Sequence, residues 1–277
     1  MPNSKSIAQQ LLEGLTDLYG APEARSILRI VYEDVLGLYS LQRPLTEEQE
    51  AKLWPIQQRL LKGEPLQYVL GQADFYGYKF KVGPAVLIPR QETEELVHMI
   101  LQQHGNKPLR LLDVGTGSGC IPITLKLKRP AWQVEAVDIS PEALQIAADN
   151  ARRLEADVRF QQLDVLDAAN WPALPPYDII VSNPPYIPPS ETKHVPPHVL
   201  QHEPHLALFT ETEDALVFYR AIAALAKQQL QPGGWLYFEL NEFNGEEVFE
   251  VVEKQGFEAV RLEWDLNGKS RMLKGQL

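Results

Sequence analysis

Residues 111–120 read LLDVGTGSGC, and this stretch is the strongest indication of the fold class of the chain. An apolar run interrupted by one acid predicts a buried strand, and glycines in a G-x-G-x-G pattern follow it directly. Glycine adopts backbone angles that other residues avoid and lets a ligand approach the main chain closely. A strand that passes through such a turn into a helix is typical of Rossmann-like α/β folds.

The glycine spacing discriminates between two kinds of ligand. A dinucleotide fingerprint, G-x-G-x-x-G, would place its third glycine at position 120, where this chain has Cys120. The pattern formed by Gly115, Gly117 and Gly119 fits a nucleoside with an amino-acid tail better than a pyrophosphate. We interpret Cys120 as a small packing residue.

Acidic residues stand at the ends of three successive predicted strands around this turn. Asp113 precedes the glycines, Asp138 lies at the tip of the second strand, and Asp164 closes the third. A carboxylate at Asp138 can accept from both ribose hydroxyls, and Asp164 could accept from an adenine amino group. Each acid alone is more often a helix cap. Together with the turn they favour S-adenosyl-L-methionine, which would contact Gly115, Thr116, Gly117, Ser118 and Gly119.

Predicted strands and helices alternate through most of the chain, which favours a parallel sheet with helices on both faces. The expected strands are 109–114, 133–137, 158–162, 177–182 and 235–240. The expected helices are 92–104, 119–128, 141–153, 214–230 and 245–255. Asn267 and Gly268 predict the turn of a closing antiparallel hairpin, from 259–264 to 270–273.

The N-terminal part has a different pattern, with apolar residues at helical spacing and no predicted strand. Thr46 and Gln49 form a capping box that starts one of its helices. Residues 75–82 are aromatic and β-rich, and 86–88 follow a Gly-Pro pair, so we expect a two-stranded hairpin here. The predicted organisation is a helical bundle at 1–73, a β-hairpin linker at 74–89 and an α/β domain at 90–277.

Residues 178–186, DIIVSNPPY, join a hydrophobic strand to an asparagine, two prolines and an aromatic ring. Proline has no N–H, so the main chain presents carbonyl acceptors that no local donor satisfies. The Asn183 side-chain oxygen and the Pro184 carbonyl can both accept from one NH2 group, and Tyr186 offers a flat face for stacking. Such acceptors would localise the lone pair of a poorly nucleophilic amide or aromatic amine nitrogen, so that methyl transfer depends mainly on positioning and electrostatics.

This Asn-Pro-Pro-Tyr segment resembles the substrate motif of amino-group methyltransferases. The chain as a whole resembles the HemK/PrmC family, the release factor glutamine methyltransferases. Further stretches that resemble the family's signatures are 64–71, 75–77, 88–94, 203–208 and 218–220. The resemblance implies an N-terminal helical domain that binds the protein substrate, a hairpin, and a seven-stranded Rossmann-like methyltransferase domain at 90–277.

The resemblance also implies a reaction and its site. The implied enzyme methylates the side-chain amide nitrogen of the glutamine in the Gly-Gly-Gln motif of peptide chain release factors. The cofactor contacts it implies are Gly115 to Gly119, Asp138, Asp164, Val165 and Asn183. The residues that would hold the glutamine amide are Asn183, Pro184, Pro185 and Tyr186, with Asn183, Pro184 and Tyr186 as the catalytic set.

Composition limits the other possibilities. The 277 residues are 44% hydrophobic, typical of a globular protein that buries its own core, and a single cysteine excludes an intramolecular disulfide. We see no signal peptide or membrane-spanning run, and therefore expect a cytoplasmic protein with no membrane partner. We also expect a monomer. Four histidines between His194 and His205 are interrupted by prolines, which predicts a solvated loop and no metal site.

Three alternative functions stay open. Adenine-N6 methylation of DNA or RNA would present a similar NH2 group to Asn183, but a net charge of −11 disfavours direct nucleic-acid binding. A sister enzyme acting on a ribosomal-protein glutamine would share the same motif. A non-catalytic adapter is the third, and the presence of Asn183 argues against it.

Overall fold

Helices build the first of two compact units, which ends at Gln72. The structure, a computed structural model, describes residues 6–277 except for the side chain of residue 172. The helices of the first unit are α1 (Ile7–Tyr19), α2 (Ala21–Leu36), α3 (Glu47–Leu60) and α4 (Leu66–Leu70). Thr46 Oγ1 accepts from the Gln49 N–H and Gln49 Oε1 accepts from the Thr46 N–H, at 3.3 and 3.1 Å. The predicted capping box is therefore confirmed.

A short hairpin, β1 (Gln72–Phe75) and β2 (Tyr78–Lys81), follows these helices. Its turn is Tyr76–Gly77, with φ values of 51° and 82°, the left-handed pair that a two-residue hairpin turn requires. The prediction that 86–88 would form a strand after a Gly-Pro turn is wrong. A two-residue turn already reverses the chain, and Phe75 and Phe80 then pack edge to face at 5.9 Å between ring centroids.

The second unit, Ala73–Leu277, contains a seven-stranded sheet, as the fold-class prediction requires. Its strands are β3 (Arg110–Val114), β4 (Gln133–Asp138), β5 (Val158–Gln162), β6 (Tyr177–Ser182), β7 (Leu230–Glu239), β8 (Glu258–Trp264) and β9 (Ser270–Gln276). Its helices are α5 (Gln91–Gln103), α6 (Cys120–Lys128), α7 (Pro141–Arg153), α8 (Pro197–His202), α9 (His205–Leu208), α10 (Val217–Gln229) and α11 (Gly245–Lys254). The strand order is β5-β4-β3-β6-β7-β9-β8, with β9 antiparallel to both neighbours and the other pairs parallel.

Both faces of the sheet are buried, because alternate residues of each central strand belong to different core clusters. Leu112 and Ile180 pack in a cluster that includes residues of α10 and α11. Leu111 and Ile179 pack in a second cluster with residues of α5 and α6. This two-sided burial explains why the central strands read as nearly continuous apolar runs.

The strand order reverses at β3. From there the chain moves outward through β4 and β5, and then returns to β6 on the other side of β3. Ligands of open α/β sheets bind outside the carboxyl ends of the strands at such a switch point. Val114 and Ser182, the last residues of β3 and β6, are register partners. The glycine turn and Asn183 therefore begin side by side.

The proline-rich segment, residues 184–208, includes the stretch 194–205 that was predicted as a solvated loop, and it differs from that prediction. It contains a 3-10 helix at Pro189–His194 and then the short helices α8 and α9. Pro197 occupies the first turn of α8, where a missing N–H costs no hydrogen bond, so these prolines start helical turns and do not prevent them. Within residues 6–277, no helix is both long and apolar enough to cross a membrane.

One predicted helix also begins later than its sequence pattern suggests. Asp214 Oδ1 accepts from the Leu216 N–H at 3.0 Å, which closes a local turn before α10 starts at Val217. Aspartate makes such a bond to the backbone two residues on, and the bond competes with the first helical turn.

Candidate active site

A cavity of about 320 Å³ opens at the switch point, within the ~300–1,000 Å³ usual for small-molecule sites. It collects residues from the carboxyl ends of four strands, β3, β4, β5 and β6. The predicted residues that line it are Gly115, Thr116, Gly117, Ser118, Asp138, Asp164, Val165, Asn183, Pro184 and Pro185. Two predicted site residues, Gly119 and Tyr186, are not part of this lining.

The three glycines of the turn have two different structural roles. Gly115 and Gly117 have φ values of +75° and +54°, and a Cβ built on either would meet no heavy atom within 4 Å. Since both line the cavity, a side chain at either position would take space from a ligand. At Gly119 a Cβ would come within 2.8 Å of Ile123 and 3.1 Å of Ala147. Gly119 therefore allows α6 and α7 to pack closely.

Asp138 joins the tip of β4 to the glycine turn. Its Oδ2 accepts from the Gly117 N–H at 2.8 Å, and its Oδ1 accepts from the Ser140 N–H at 3.0 Å. Burial raises the pKa of Asp138, while these N–H donors act in the opposite direction. Each carboxylate oxygen can accept more than one hydrogen bond, so Asp138 can still bind the hydroxyls of a ribose.

The strand-end acids do not all face the cavity. Asp164 does, and its Oδ1 accepts from the Leu166 N–H at 2.9 Å. Asp113 is completely buried, and neither of its carboxylate oxygens has a hydrogen-bond partner within residues 6–277. Burial raises the pKa of Asp113 to about 7. The grouping of Asp113 with the ligand-facing acids is therefore wrong, because side-chain alternation places it on the same sheet face as the core residue Leu111.

Asn183 is connected to two buried residues that the sequence analysis missed. Its Nδ2 donates to Thr93 Oγ1 at 3.4 Å, a long hydrogen bond. Thr93 Oγ1 donates in turn to Glu239 Oε2 at 2.6 Å. Burial raises the pKa of Glu239 to about 7. The available signals were the position of Thr93 within the 88–94 signature and a single acid inside the apolar run 236–240.

Tyr186 lies on the core side of its segment. It is partly buried and packs against the cluster that contains Tyr219 and Phe238. Burial is the main reason that the pKa of Tyr186 rises to about 12, so its hydroxyl keeps its proton at neutral pH. The ring thus anchors the Asn-Pro-Pro-Tyr segment to the sheet.

Two further contacts, also missed, hold the proline-rich segment beside the cavity. Glu203, whose side chain is only 2% exposed, pairs with Arg90 at 2.6 Å and accepts from the Ile88 N–H at 3.3 Å. At the other end, Ile187 bonds to Leu208 and Thr210 through the backbone, at 3.1 and 2.9 Å. The signal for the first contact was that both partners belong to stretches with family resemblance.

Cys120 also lines the cavity, but it supplies no reactive group there. Cys120 is buried, and burial raises the pKa of its thiol to about 12, so it remains a neutral packing residue. Over the described part of the chain, residues 6–277, no three His, Cys, Asp or Glu side chains form a group that could hold a metal ion.

The donor set of the cavity suits one cofactor well. Asp138 has a carboxylate that can accept from a diol, and the backbone at Gly115 and Gly117 leaves open space beside it. A seven-stranded sheet that carries this arrangement at its switch point defines a class of enzymes. The protein is an S-adenosyl-L-methionine-dependent methyltransferase.

Comparison with known proteins identifies the family. Residues 91–262 match the model described as Methyltransferase small domain, and 9–71 match that of the PrmC N-terminal domain. A release factor glutamine methyltransferase of Bacteroides thetaiotaomicron is 42% identical over 273 residues, 96% of this chain and 98% of the relative. Its counterpart in Flavobacterium psychrophilum is 39% identical, covering 98% of both chains. The chain belongs to the release factor glutamine methyltransferase family.

Solved structures share the fold at lower sequence identity. A methyltransferase from Pyrococcus furiosus aligns with a TM-score of 0.55 and 17% identity, over 80% of this chain and 97% of the other. The catalytic domain of hMettl16 aligns with a TM-score of 0.58 and 20% identity, over 76% and 78%. At these identities the likeness concerns the fold alone.

Proposed function

We propose that this protein transfers the methyl group of S-adenosyl-L-methionine to the side-chain amide nitrogen of the glutamine in the Gly-Gly-Gln motif of release factors. The names and high coverage of its relatives support this substrate. The observation that carries the proposal is that the loops after Val114 and Ser182 start side by side and line one cavity. Cofactor and acceptor would therefore meet at a single site.

The proposed cofactor site uses the residues of the β3, β4 and β5 loops. Asp138 would accept from the ribose hydroxyls, and the open turn at Gly115 and Gly117 would admit the amino-acid tail. Asp164 and Val165 would contact the adenine end, where both line the cavity. When bound, S-adenosyl-L-methionine supplies an electrophilic methyl group on a sulfonium.

The proposed acceptor site uses the residues after β6. A glutamine amide is a weak nucleophile because its nitrogen lone pair is delocalised into the carbonyl. Asn183 Oδ1 and the Pro184 carbonyl would each accept a hydrogen bond from its NH2 group, which orients the nitrogen and favours the geometry that it needs in the transition state. As the new N–CH3 bond forms, the C–S bond of the sulfonium breaks, S-adenosylhomocysteine is the leaving group, and the nitrogen gives up one proton to solvent. Pro185 lines the cavity. Tyr186, which packs against the core and not along the cavity, would anchor the segment in place of the predicted stacking on the amide.

The N-terminal unit has its own core, formed by residues such as Leu15, Val31 and Leu53. We infer that this domain, at 1–73, binds the release factor, while 74–89 links it to the methyltransferase domain at 90–277. In this proposal the chain acts as a cytoplasmic monomer on a protein substrate, without direct contact to nucleic acid.

Transfer of a labelled methyl group tests the proposal. The protein is incubated with methyl-labelled S-adenosyl-L-methionine and, separately, with a purified release factor, a release factor whose Gly-Gly-Gln glutamine is replaced, ribosomal proteins, and DNA. We expect label only on the unmodified release factor, with the methyl group mapped to that glutamine by mass spectrometry. Label on a ribosomal protein or on DNA instead would replace this substrate with one of its alternatives. An Asn183→Ala enzyme is the matched control for background transfer.

A further inference from the structure

The ends of β6 and β7 and the first turn of α5 meet next to Asn183. Asn183 follows β6, Glu239 ends β7 and Thr93 lies in the first turn of α5. Ser182 and Phe238 are register partners in β6 and β7, and the next residues along the chain are Asn183, just after β6, and Glu239, the last residue of β7. Thr93 and Glu239 are 3% and 5% exposed, and their hydroxyl–carboxylate hydrogen bond of 2.6 Å is well shielded from water.

We propose that Thr93 and ionised Glu239 are positioning residues that orient the side-chain amide of Asn183, so that its oxygen faces the methyl acceptor. This inference rests on the proposed function, in which Asn183 accepts from the acceptor NH2 group. Neither Thr93 nor Glu239 is assigned any contact with the reacting atoms. They act through Asn183.

The direction of the hydrogen bonds follows from their chemistry. An ionised carboxylate can only accept, so the Thr93 hydroxyl must donate its single proton to Glu239. Thr93 Oγ1 is then left as an acceptor, and only the NH2 end of the Asn183 amide can donate to it. The amide oxygen must therefore point the other way. Without the carboxylate, both orientations of the amide could form one hydrogen bond with Thr93.

Protonation of Glu239 would remove this directionality. A protonated carboxyl can donate to Thr93, which frees the Thr93 hydroxyl to donate to Asn183 Oδ1 and favours the reversed amide. Burial raises the pKa of Glu239 to about 7, so this change falls in an accessible pH range. The charged groups near Glu239 are Arg90, Glu92 and Arg271, and the other titratable groups that sense its charge are Tyr186, Tyr219 and Cys120. The arginines favour its ionised form, whereas Glu92 opposes it.

Nuclear magnetic resonance of the full chain, labelled with 15N-asparagine, tests the orientation without any methyl acceptor. The side-chain NH2 signals of Asn183 are assigned by their loss in Asn183→Ala. We expect them to shift with pH around a midpoint near 7. This pH-dependent change in chemical shift should disappear in Glu239→Gln. It should also disappear in Thr93→Val, in which the side chain keeps nearly the same shape but loses the hydroxyl, and it should return in Thr93→Ser. Asn183 signals that titrate identically in all four proteins would overturn the proposal.

Steady-state kinetics provide the second measurement. We expect Thr93→Val to lower kcat roughly tenfold to a hundredfold, the cost of a misplaced reacting group, with little change in S-adenosylhomocysteine affinity. Thr93→Ser should recover most of this loss. The wild-type kcat should fall on the acid side of neutral pH, and this limb should be absent in Glu239→Gln. A kcat of Thr93→Val equal to that of the wild-type protein would contradict the proposal.

Failure of this proposal can be distinguished from failure of the proposed function. If the wild-type protein does not methylate release factor, the proposed substrate is wrong, while the Asn183 titration still reports on its orientation. If Thr93→Val methylates release factor normally and the pH dependence of the Asn183 NH2 signals is the same in the wild type and in Glu239→Gln, the positioning role is wrong. The proposed function then stands. Melting curves of each variant identify any substitution that acts by unfolding the protein.

Discussion

The hydroxyl of Ser182 donates a 2.7 Å hydrogen bond to the backbone carbonyl of Val114, its register partner in the adjacent strand. Both residues are almost completely buried. The bond joins the final residues of β3 and β6, one position before the glycine turn and one position before Asn183. The glycine turn and the segment that begins at Asn183 contribute to the proposed cofactor and acceptor sites. Both therefore start from strand ends that this hydrogen bond holds together at the centre of the sheet.

Replacement of Asn183 by alanine should affect turnover far more than cofactor binding. The proposed Asn183 contact strengthens as the acceptor nitrogen approaches the transition state, so its loss should lower kcat and kcat/KM by roughly a hundredfold or more. Timed methyl-transfer assays with release factor measure kcat and kcat/KM, and calorimetry measures the affinity for S-adenosylhomocysteine. A wild-type rate in this variant would show that the motif is only structural.

Two substitutions of Tyr186 should distinguish the contribution of its ring to activity from that of its hydroxyl. Tyr186→Phe keeps the ring that packs against the core, and we expect kcat close to that of the wild type. Tyr186→Ala removes the anchor of the segment and should cost much more activity. The comparison is made at saturating cofactor and at a temperature well below the melting point of either variant. A loss in Tyr186→Phe as large as that in Tyr186→Ala would assign a chemical role to the hydroxyl.

Asp138 should dominate cofactor affinity. Loss of a hydrogen-bonded carboxylate costs about 1.5–3 kcal/mol, so Asp138→Ala should weaken S-adenosylhomocysteine binding by that amount in a calorimetric titration. Asp138 also accepts from the Gly117 N–H, and Asp138→Asn, which keeps one acceptor oxygen, is the matched comparison. Tighter binding of NAD than of S-adenosylhomocysteine to the wild-type protein would contradict the assigned cofactor.

Cofactor binding and substrate recognition should depend on different units of the chain. A fragment that starts at Gly71 retains the hairpin and both core clusters of the sheet, so it should bind S-adenosylhomocysteine as the full chain does. It should methylate release factor poorly if 1–73 supplies the proposed binding surface. Full activity of this fragment on intact release factor would remove that role from the N-terminal domain.

Asp113 should make stability depend on pH. Its pKa rises from 3.8 to about 7 on folding, so between these values the native state keeps a proton that the unfolded chain has released. Stability contributed by the neutral group is therefore present at low pH and lost as pH rises toward 7, by up to about 1.4 kcal/mol per pH unit. Asp113→Asn cannot titrate. Denaturant unfolding at several pH values should show the variant gaining stability relative to the wild type between pH 4 and 7, and a constant difference would contradict the shift.

Much of this protein follows from its sequence alone. Apolar runs followed by glycine, aspartate or asparagine predicted the central strands, because a strand buried on both faces must be continuously hydrophobic. The cavity residues Gly115, Asp138 and Asn183 were found for a related reason. Carboxyl ends of parallel strands meet at one edge of the sheet, so the residues after each strand converge there whatever their exact distances.

The hydrogen-bond partners of the buried polar side chains depend on tertiary packing and could not be read from the sequence. Thr93 and Glu239 are 146 positions apart, and their hydrogen bond exists because α5 packs beside the end of β7. Asp113 is excluded from the cavity by strand alternation, in which a shift of one residue turns a side chain to the opposite face. Local patterns specify which elements form and in what order. The partners of a buried polar group depend on how distant elements pack, and this is why Asn183 could be predicted from the sequence while the residues that orient it could not.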